Sequence, residues 1–357
     1  MLSLARVGGI AWISLVLCGS LAAQSPRDEL RRYLGNLPTA GAVPADVQAR
    51  ITDLYVVPTI AAGDAKDLKT ALELRTELQS RLSGGSPQLQ NPVIQAVNTA
   101  AARNLSRPVA DVAMLQFATL LSESASPLSK TTFTQMLSSQ DAAVRFLAAN
   151  GLVSMMAHQT QPQLTGVDVR ILSEAARKET SSPTVERIYR TLIRGRNNAL
   201  SVNRPTDAAA CDTAIVETLL SRAAVYEARD SEAALADRTA AMELLGILNR
   251  AGTPDSTRAA LRSGFKRLFT AVAESYTQHS DNLRREYRFN LLLLLLDLER
   301  VGLSMAGIGT DAAANPGLGR QAMQEFNATP GKPNTEIALE KWIGNDGLLT
   351  KPPFAEQ

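Results

Sequence analysis

The sequence predicts an all-α protein built from stacked antiparallel helix pairs, and three observations carry that expectation. Apolar residues recur at helical rather than strand spacing along most of the chain. Short stretches rich in Gly, Pro and Ser separate the periodic segments. Alternating apolar and polar runs, the mark of half-buried strands, are nearly absent.

Residues 1–22 read as a cleavable export signal. Arg6 supplies the positive start, Val7 to Leu17 form an apolar run, and Ser20, Ala22 and Ala23 are small, so the simplest cut falls before Ala23. Cys18 follows Leu17, where a lipoprotein signal needs a small residue, which argues against lipidation. The uncharged run lies near the lower limit of about 17 residues for a bilayer span, so an uncleaved anchor is the competing reading. The expected location is periplasmic or secreted, with no stable membrane insertion after cleavage. Once Cys18 leaves with the signal, Cys211 has no intramolecular disulfide partner, and stability must come from packing. With 45% apolar and 20% charged residues and a formal charge of +2, the chain is not disordered by composition. It is also not basic enough to suggest nucleic acid.

Residues 23–85 are expected to form an N-terminal helical cap, ended by Ser83-Gly84-Gly85-Ser86-Pro87. The body, 86–306, carries the clearest periodicity. Val144, Leu147, Ala148, Gly151, Leu152, Met155 and Met156 follow an i, i+3, i+4, i+7 stripe. Val185, Ile188, Tyr189, Leu192 and Ile193 repeat it, and so do Ala241, Leu244, Leu245 and Leu248. Asn91-Pro92, Ser126-Pro127 and Ser182-Pro183 each place a capping residue before a proline suited to the first helical position. Breaks are expected at Gln159 to Gly166, Gly195 to Pro205 and Gly252 to Pro254. The run Leu291 to Leu296 is too short to span a bilayer and reads as a buried helix. Residues 307–357, interrupted by Gly307, Gly317, Pro330, Pro352 and Pro353, are expected to be irregular, with Trp342 anchoring them to the body.

The segment Asp141-Ala142-Ala143-Val144-Arg145-Phe146-Leu147-Ala148-Ala149 resembles the second helix of a HEAT repeat. That family stacks antiparallel helix pairs into a curved solenoid, with a period of about 40 to 47 residues, and Val144 to Val185 is a step of roughly 41. The resemblance covers Ser126 to Gly195 and extends from Asn91 to Gly252. The stripe at Ala241 lies about 56 residues beyond Val185, outside that period, so helical packing without true repeats stays open. The resemblance implies that Asp141 and Arg145 build the polar ladders within and between repeats.

Other motifs carry less. Ser263, Lys266 and the later Ser280-Asp281-Asn282 superficially match penicillin-recognising serine enzymes, but they lie too close together and lack the third, Lys-Thr-Gly element. His158 and His279 sit in no metal-ligand spacing, so no metal or organic cofactor is expected. Cys211 reads as a buried, inert thiol. Gly307-Ile308-Gly309 follows no strand and reads as a loop rather than a dinucleotide site.

The expected function is therefore an exported interaction scaffold that binds a protein or peptide through a curved helical surface, without catalysis. The competing class is an all-α, α/α-barrel hydrolase or lyase, which requires carboxylates converging from distant helices. The expected partner site is a basic stripe of Arg187, Arg190 and Arg194 opposite Val185, Ile188, Tyr189 and Leu192. Phe146, Ala149 and Val153 are expected to offer apolar contact area beside it, a combination suited to an acidic peptide.

Overall fold

A computed structural model describes residues 24–39, 41–83, 87–105, 112–158, 164–228, 231–279, 284–308, 317–328 and 339–354. The expected export signal, with Cys18, and the segment Ser280-Asp281-Asn282 lie outside the described residues, as does Gly309. Among the described residues the protein is all-helical, with many packed helix pairs and no strand. The helices are α1 (Pro26–Asn36), α2 (Val47–Ile51), α3 (Val57–Asp64), α4 (Leu68–Leu82), α5 (Pro87–Asn104), α6 (Val112–Ser124), α7 (Lys130–Met136) and α8 (Ala142–His158). They continue with α9 (Gly166–Lys178), α10 (Ser182–Ser201), α11 (Pro205–Ser221), α12 (Ala223–Glu227), α13 (Ala234–Asn249), α14 (Asp255–His279), α15 (Arg285–Met305) and α16 (Leu318–Ala328).

Local chemistry sets many of the helix starts. Ser25 caps α1, with Pro26 in its first turn, Asp67 caps α4, and Thr165 and Asp168 form a reciprocal capping box at α9. Ser126 accepts from the Leu128 amide and opens a 3₁₀ turn at Pro127–Ser129 that leads into α7. At α10 the cap is Ser181 rather than Ser182, and Pro183 still occupies the first turn. Between α2 and α3 the chain forms a π-helical turn, Thr52–Val56, just before Pro58. Proline has no N–H to return to the carbonyl of Leu54, and the wider i→i+5 pairing takes up the difference.

Several expectations are corrected. Asn91-Pro92 does not start a helix, because α5 begins at Pro87 and carries Pro92 inside it. The fully or nearly buried residues Leu89, Val93, Ile94, Val97 and Ala101 form one stripe across the proline. Burial worth roughly 1.5 to 3 kcal/mol for each large side chain outweighs about 3 kcal/mol for one interior proline. Gly195 does not break α10, which runs to Ser201. A Cβ at Gly195 would lie 2.9 Å from Leu164 Cγ, so the glycine permits close approach of the preceding loop. Residues 307–357 are not irregular throughout: α16 lies there, and its first amide, on Leu318, donates to the buried Glu299 carboxylate of α15. Trp342 is buried and stacks on Phe269 of α14, with ring centroids 4.6 Å apart, while Phe354 packs on Phe265 at 5.5 Å. Leu291, Leu292, Leu294 and Leu295 are fully buried within α15, and no described helix is long and apolar enough to cross a membrane.

The packing runs in two rows. Helices α6, α8, α10, α13 and α15 lie side by side in that order, and α9, α11 and α14 do the same. The rows meet where α10 packs on both α9 and α11 and where α14 packs on α15, and α7 bridges α8 and α9. Helices α2, α3 and α4 join the start of this arrangement by packing on α5 and α6. A single cluster of buried apolar residues extends from Leu30 to Phe354.

Two glycines give opposite tests of this packing. A Cβ at Gly151 of α8 would lie 2.6 Å from Cε1 of the Phe133 ring on α7, whereas one at Gly246 of α13 meets nothing within 4 Å. Gly246→Ala should raise stability by about 1 kcal/mol through helix propensity. Gly151→Ala should lower it by roughly 1 to 3 kcal/mol, because overpacking a rigid ring exceeds the propensity gain. Urea midpoints at constant m-value measure both, and equal signs would contradict the packing described.

Candidate functional site

The expected basic stripe lies on α10, whose buried face carries Val185, Ile188, Tyr189 and Leu192. The three arginines have different surroundings. Arg190 is exposed and ion-paired with Glu186 one turn earlier, at 2.6 Å. Arg194 is half-buried and donates through Nη1 to the carbonyl of Val153 on α8, at 2.5 Å. Arg187 is half-buried, and its guanidinium has no bond among the described residues. The apolar face expected on α8 is corrected: Val153 is 5% exposed, Ala149 is fully buried and Phe146 is partly buried. Helices α6, α7 and α10 surround α8 and cover that face.

Bonds between α10 and its neighbours set their registers. Arg194 reaches Val153 and Asn198 Nδ2 reaches the Met156 carbonyl, separations of 41 and 42 residues, so α8 and α10 run parallel. Toward α13, Tyr189 Oη donates to Asp237 at 3.3 Å and Arg196 Nη2 donates to Glu243 at 2.7 Å, separations of 48 and 47. On the outer face of α13 stand Leu235, 47% exposed, and Met242, 60% exposed. The sequence reading missed both. They fall off the apolar stripe Ala241, Leu244, Leu245 and Leu248, and that departure was the available signal.

Beneath this surface lie two charged clusters. Asp237 is fully buried and accepts from Arg222 Nε at 2.5 Å and from Tyr226 Oη at 2.7 Å, besides Tyr189. Burial pushes its carboxyl above the usual range despite these donors, and burial also holds Tyr189 and Tyr226 well above an ordinary phenol. The second cluster joins Arg196 to Glu243 and Asp212, with Arg250 donating to Asp212 from beyond α13. Cys211 lies beside it, buried, its thiol pushed up to about 12 by burial and by Asp212.

The residues that resemble a HEAT unit act at helix ends. Asp141 Oδ1 accepts from the amides of Ala143 and Val144, and Arg145 pairs bidentately with Glu179 at 2.6 and 3.0 Å. Burial pushes the Glu179 carboxyl up, but Arg145 and the Ser181 amide outweigh this and hold it below its ordinary value. The open groove beside this pair, about 450 Å³, is lined by Thr134, Leu137, Ile171 and Lys178.

Among the described residues, no catalytic constellation forms around the other motifs. Ser263 Oγ donates to the carbonyl of Ala260, and Ser263 and Lys266 both stand exposed on α14. Among the described residues, no group of three or more His, Cys, Asp and Glu is placed to hold a metal ion. The six carboxylates that are buried among the described residues are each bound elsewhere in the fold. Asp168 pairs with Lys130, Glu179 with Arg145, Asp212 with Arg196 and Arg250, Asp237 with Arg222, and Asp297 with Arg238. The sixth, Glu299, accepts the Leu318 amide. Comparison with protein-family models, with curated proteins and with solved structures finds no match for this chain.

Two outcomes follow. Because the folded pKa of Glu179 is depressed, its stabilisation is fully present above the unfolded carboxylate value of about 4.3 and is lost as pH falls through the folded value. Arg145→Ala should cost roughly 3 kcal/mol at pH 7 by leaving a buried charge unpaired, and the deficit should shrink toward pH 3. Urea unfolding across that range decides; a pH-independent deficit would mean that packing, not charge, is lost. Cys211 should react with a thiol reagent at pH 8 only as fast as the protein unfolds, and a fast native-state reaction would place the thiol at the surface.

Proposed function

We propose that this protein is an exported interaction scaffold, a HEAT-like α-solenoid that binds a protein or peptide on the row formed by α6, α8, α10, α13 and α15. The supporting observation is the spacing of five polar bonds that join neighbouring helices of one row between α8 and α14; toward the row's ends the spacing departs from it, 28 residues from Ser122 to Asn150 and 59 from Arg238 to Asp297. Arg177 meets Glu217 after 40 residues, Arg194 meets Val153 after 41, Thr213 meets Thr257 after 44, Ser173 meets Thr218 after 45 and Arg196 meets Glu243 after 47. That interval is the length of one helix pair in HEAT and armadillo repeats, about 40 to 47 residues. In a HEAT-like stack the second helix of each pair lines the concave surface, which places the arginines of α10 where partners dock.

The same reading disfavours catalysis, because the buried acids serve helix joints and caps instead of converging as a pair. The apolar N-terminal run supports a periplasmic or secreted location.

Two measurements test the proposal together. Small-angle scattering of the purified protein should give a radius of gyration well above the roughly 20 Å of a compact domain of this length. In exporting cells, a photocrosslinker at position 190 should trap a discrete partner that is not trapped from position 170, on the other row. A compact radius, or no position-specific adduct, would overturn the scaffold reading. Intact mass of the exported form should correspond to a chain that starts at Ala23.

A further inference from the structure

We propose that the outer faces of α10 and α13 together form one docking site, and that its occupant is an acidic amphipathic helix. The inference rests on the scaffold reading and specifies its partner. The two bonds between these helices, Tyr189 to Asp237 and Arg196 to Glu243, advance together along both chains, so the helices are parallel and offset by 47 to 48 residues. That offset sets Arg187 level with Leu235, Arg190 with Arg238, and Arg194 with Met242. At two heights, then, an arginine of α10 stands level with an exposed apolar side chain of α13, although Arg194 leans the other way to bond the Val153 carbonyl of α8.

Exposure and charge then define what fits. Met242 is the most exposed large apolar side chain among the described residues, and Leu235, two turns before it, is also open to solvent. Two turns of helix span about 10.5 Å, the distance between i and i+7 side chains of a second helix, and parallel packing brings helix axes to about 8 to 10 Å. Glu186, Glu243 and Asp297, on α10, α13 and α15, are held by Arg190, Arg196 and Arg238, and Glu232, one turn before Leu235, accepts from the Tyr287 hydroxyl. Arg187 and Arg194 have no carboxylate partner among the described residues. A leucine stripe with carboxylates along one flank supplies what each row lacks: apolar cover for Leu235 and Met242, and counter-charges for Arg187 and Arg194.

The test uses the mature protein and fluorescein-labelled synthetic peptides of about 18 residues, read by fluorescence anisotropy. The probe carries Leu at i, i+3 and i+7 with Glu on one flank. Its controls change all Glu to Gln, or all Leu to Ser. The Glu/Leu peptide should bind, and both controls should bind about tenfold more weakly or worse. Arg187→Glu with Arg190→Glu should weaken the Glu/Leu peptide about tenfold at low salt, the loss shrinking as salt screens the charges. Leu235→Ser with Met242→Ser should weaken it about tenfold at every salt concentration, because apolar burial is not screened. Far-ultraviolet circular dichroism and melting of both variants should match the parent, since none of the four side chains is buried. Equal binding of the peptide to the parent and both variants would move the site elsewhere and overturn this inference, leaving the scattering and crosslinking results to judge the scaffold. Failure of the Glu/Leu peptide to bind the parent, or binding as tight with Gln in place of Glu, would overturn it as well.

Discussion

The arrangement of α9 to α13 depends on one buried charge. Asp237 has no access to water and must satisfy its oxygens within the protein, which it does with Arg222, Tyr226 and Tyr189. Those donors come from α10, from the junction of α11 and α12, and from α12 itself. Arg222 in turn reaches back through Nη1 to the carbonyls of Ala176 and Glu179, at 3.5 and 3.4 Å, where α9 ends. A cation there compensates the negative end of the helix and its unpaired carbonyls. A buried pair of this kind contributes little net stability against a well-packed apolar substitute, but losing one partner costs about 3 to 5 kcal/mol. Its effect is geometric: few other rotations of α10 against α13 would satisfy four buried polar groups at once.

The same logic extends along the chain in weaker forms. Arg145 with Glu179, Lys130 with Asp168, and the cluster around Asp212 each join a helix to another one step or one row away. Apolar burial drives these helices together, but it is non-directional and tolerates sliding. Hydrogen-bonded charges do not tolerate it, because a slip of one residue leaves a donor or acceptor buried without a partner. Register, and with it the alignment of outer faces, therefore follows from the polar joints. An interaction surface assembled from several helices needs that alignment, whereas an active site would need acids left free of such duties.

The helical class was legible because helix stripes such as Val144 to Met156 are local patterns, as was Ser126 as the cap of a turn opened by Pro127. Gly195 and Pro92 were misread for a common reason. Local preference marks Gly195 as a break and Pro92 as a helix start, but Leu164 needs the space that Gly195 leaves, and the stripe from Leu89 to Ala101 keeps α5 continuous through its proline. Val153 and Ala149 were placed on an outer face by periodicity alone, and three neighbouring helices buried them. On α10 the sequence placed Arg187, Arg190 and Arg194 opposite the apolar stripe, but it could not tell which was paired.

By itself, then, the sequence determined that the chain is helical and where most of the apolar stripes run, since these depend on residues within a turn or two of each other. The tertiary structure decided which helices become neighbours, which face stays open, and that Met242 and Leu235 stand level with Arg194 and Arg187. Those facts join positions about 48 residues apart through side-chain bonds. No local periodicity encodes such a pairing, because it exists only once the buried charges have found their partners.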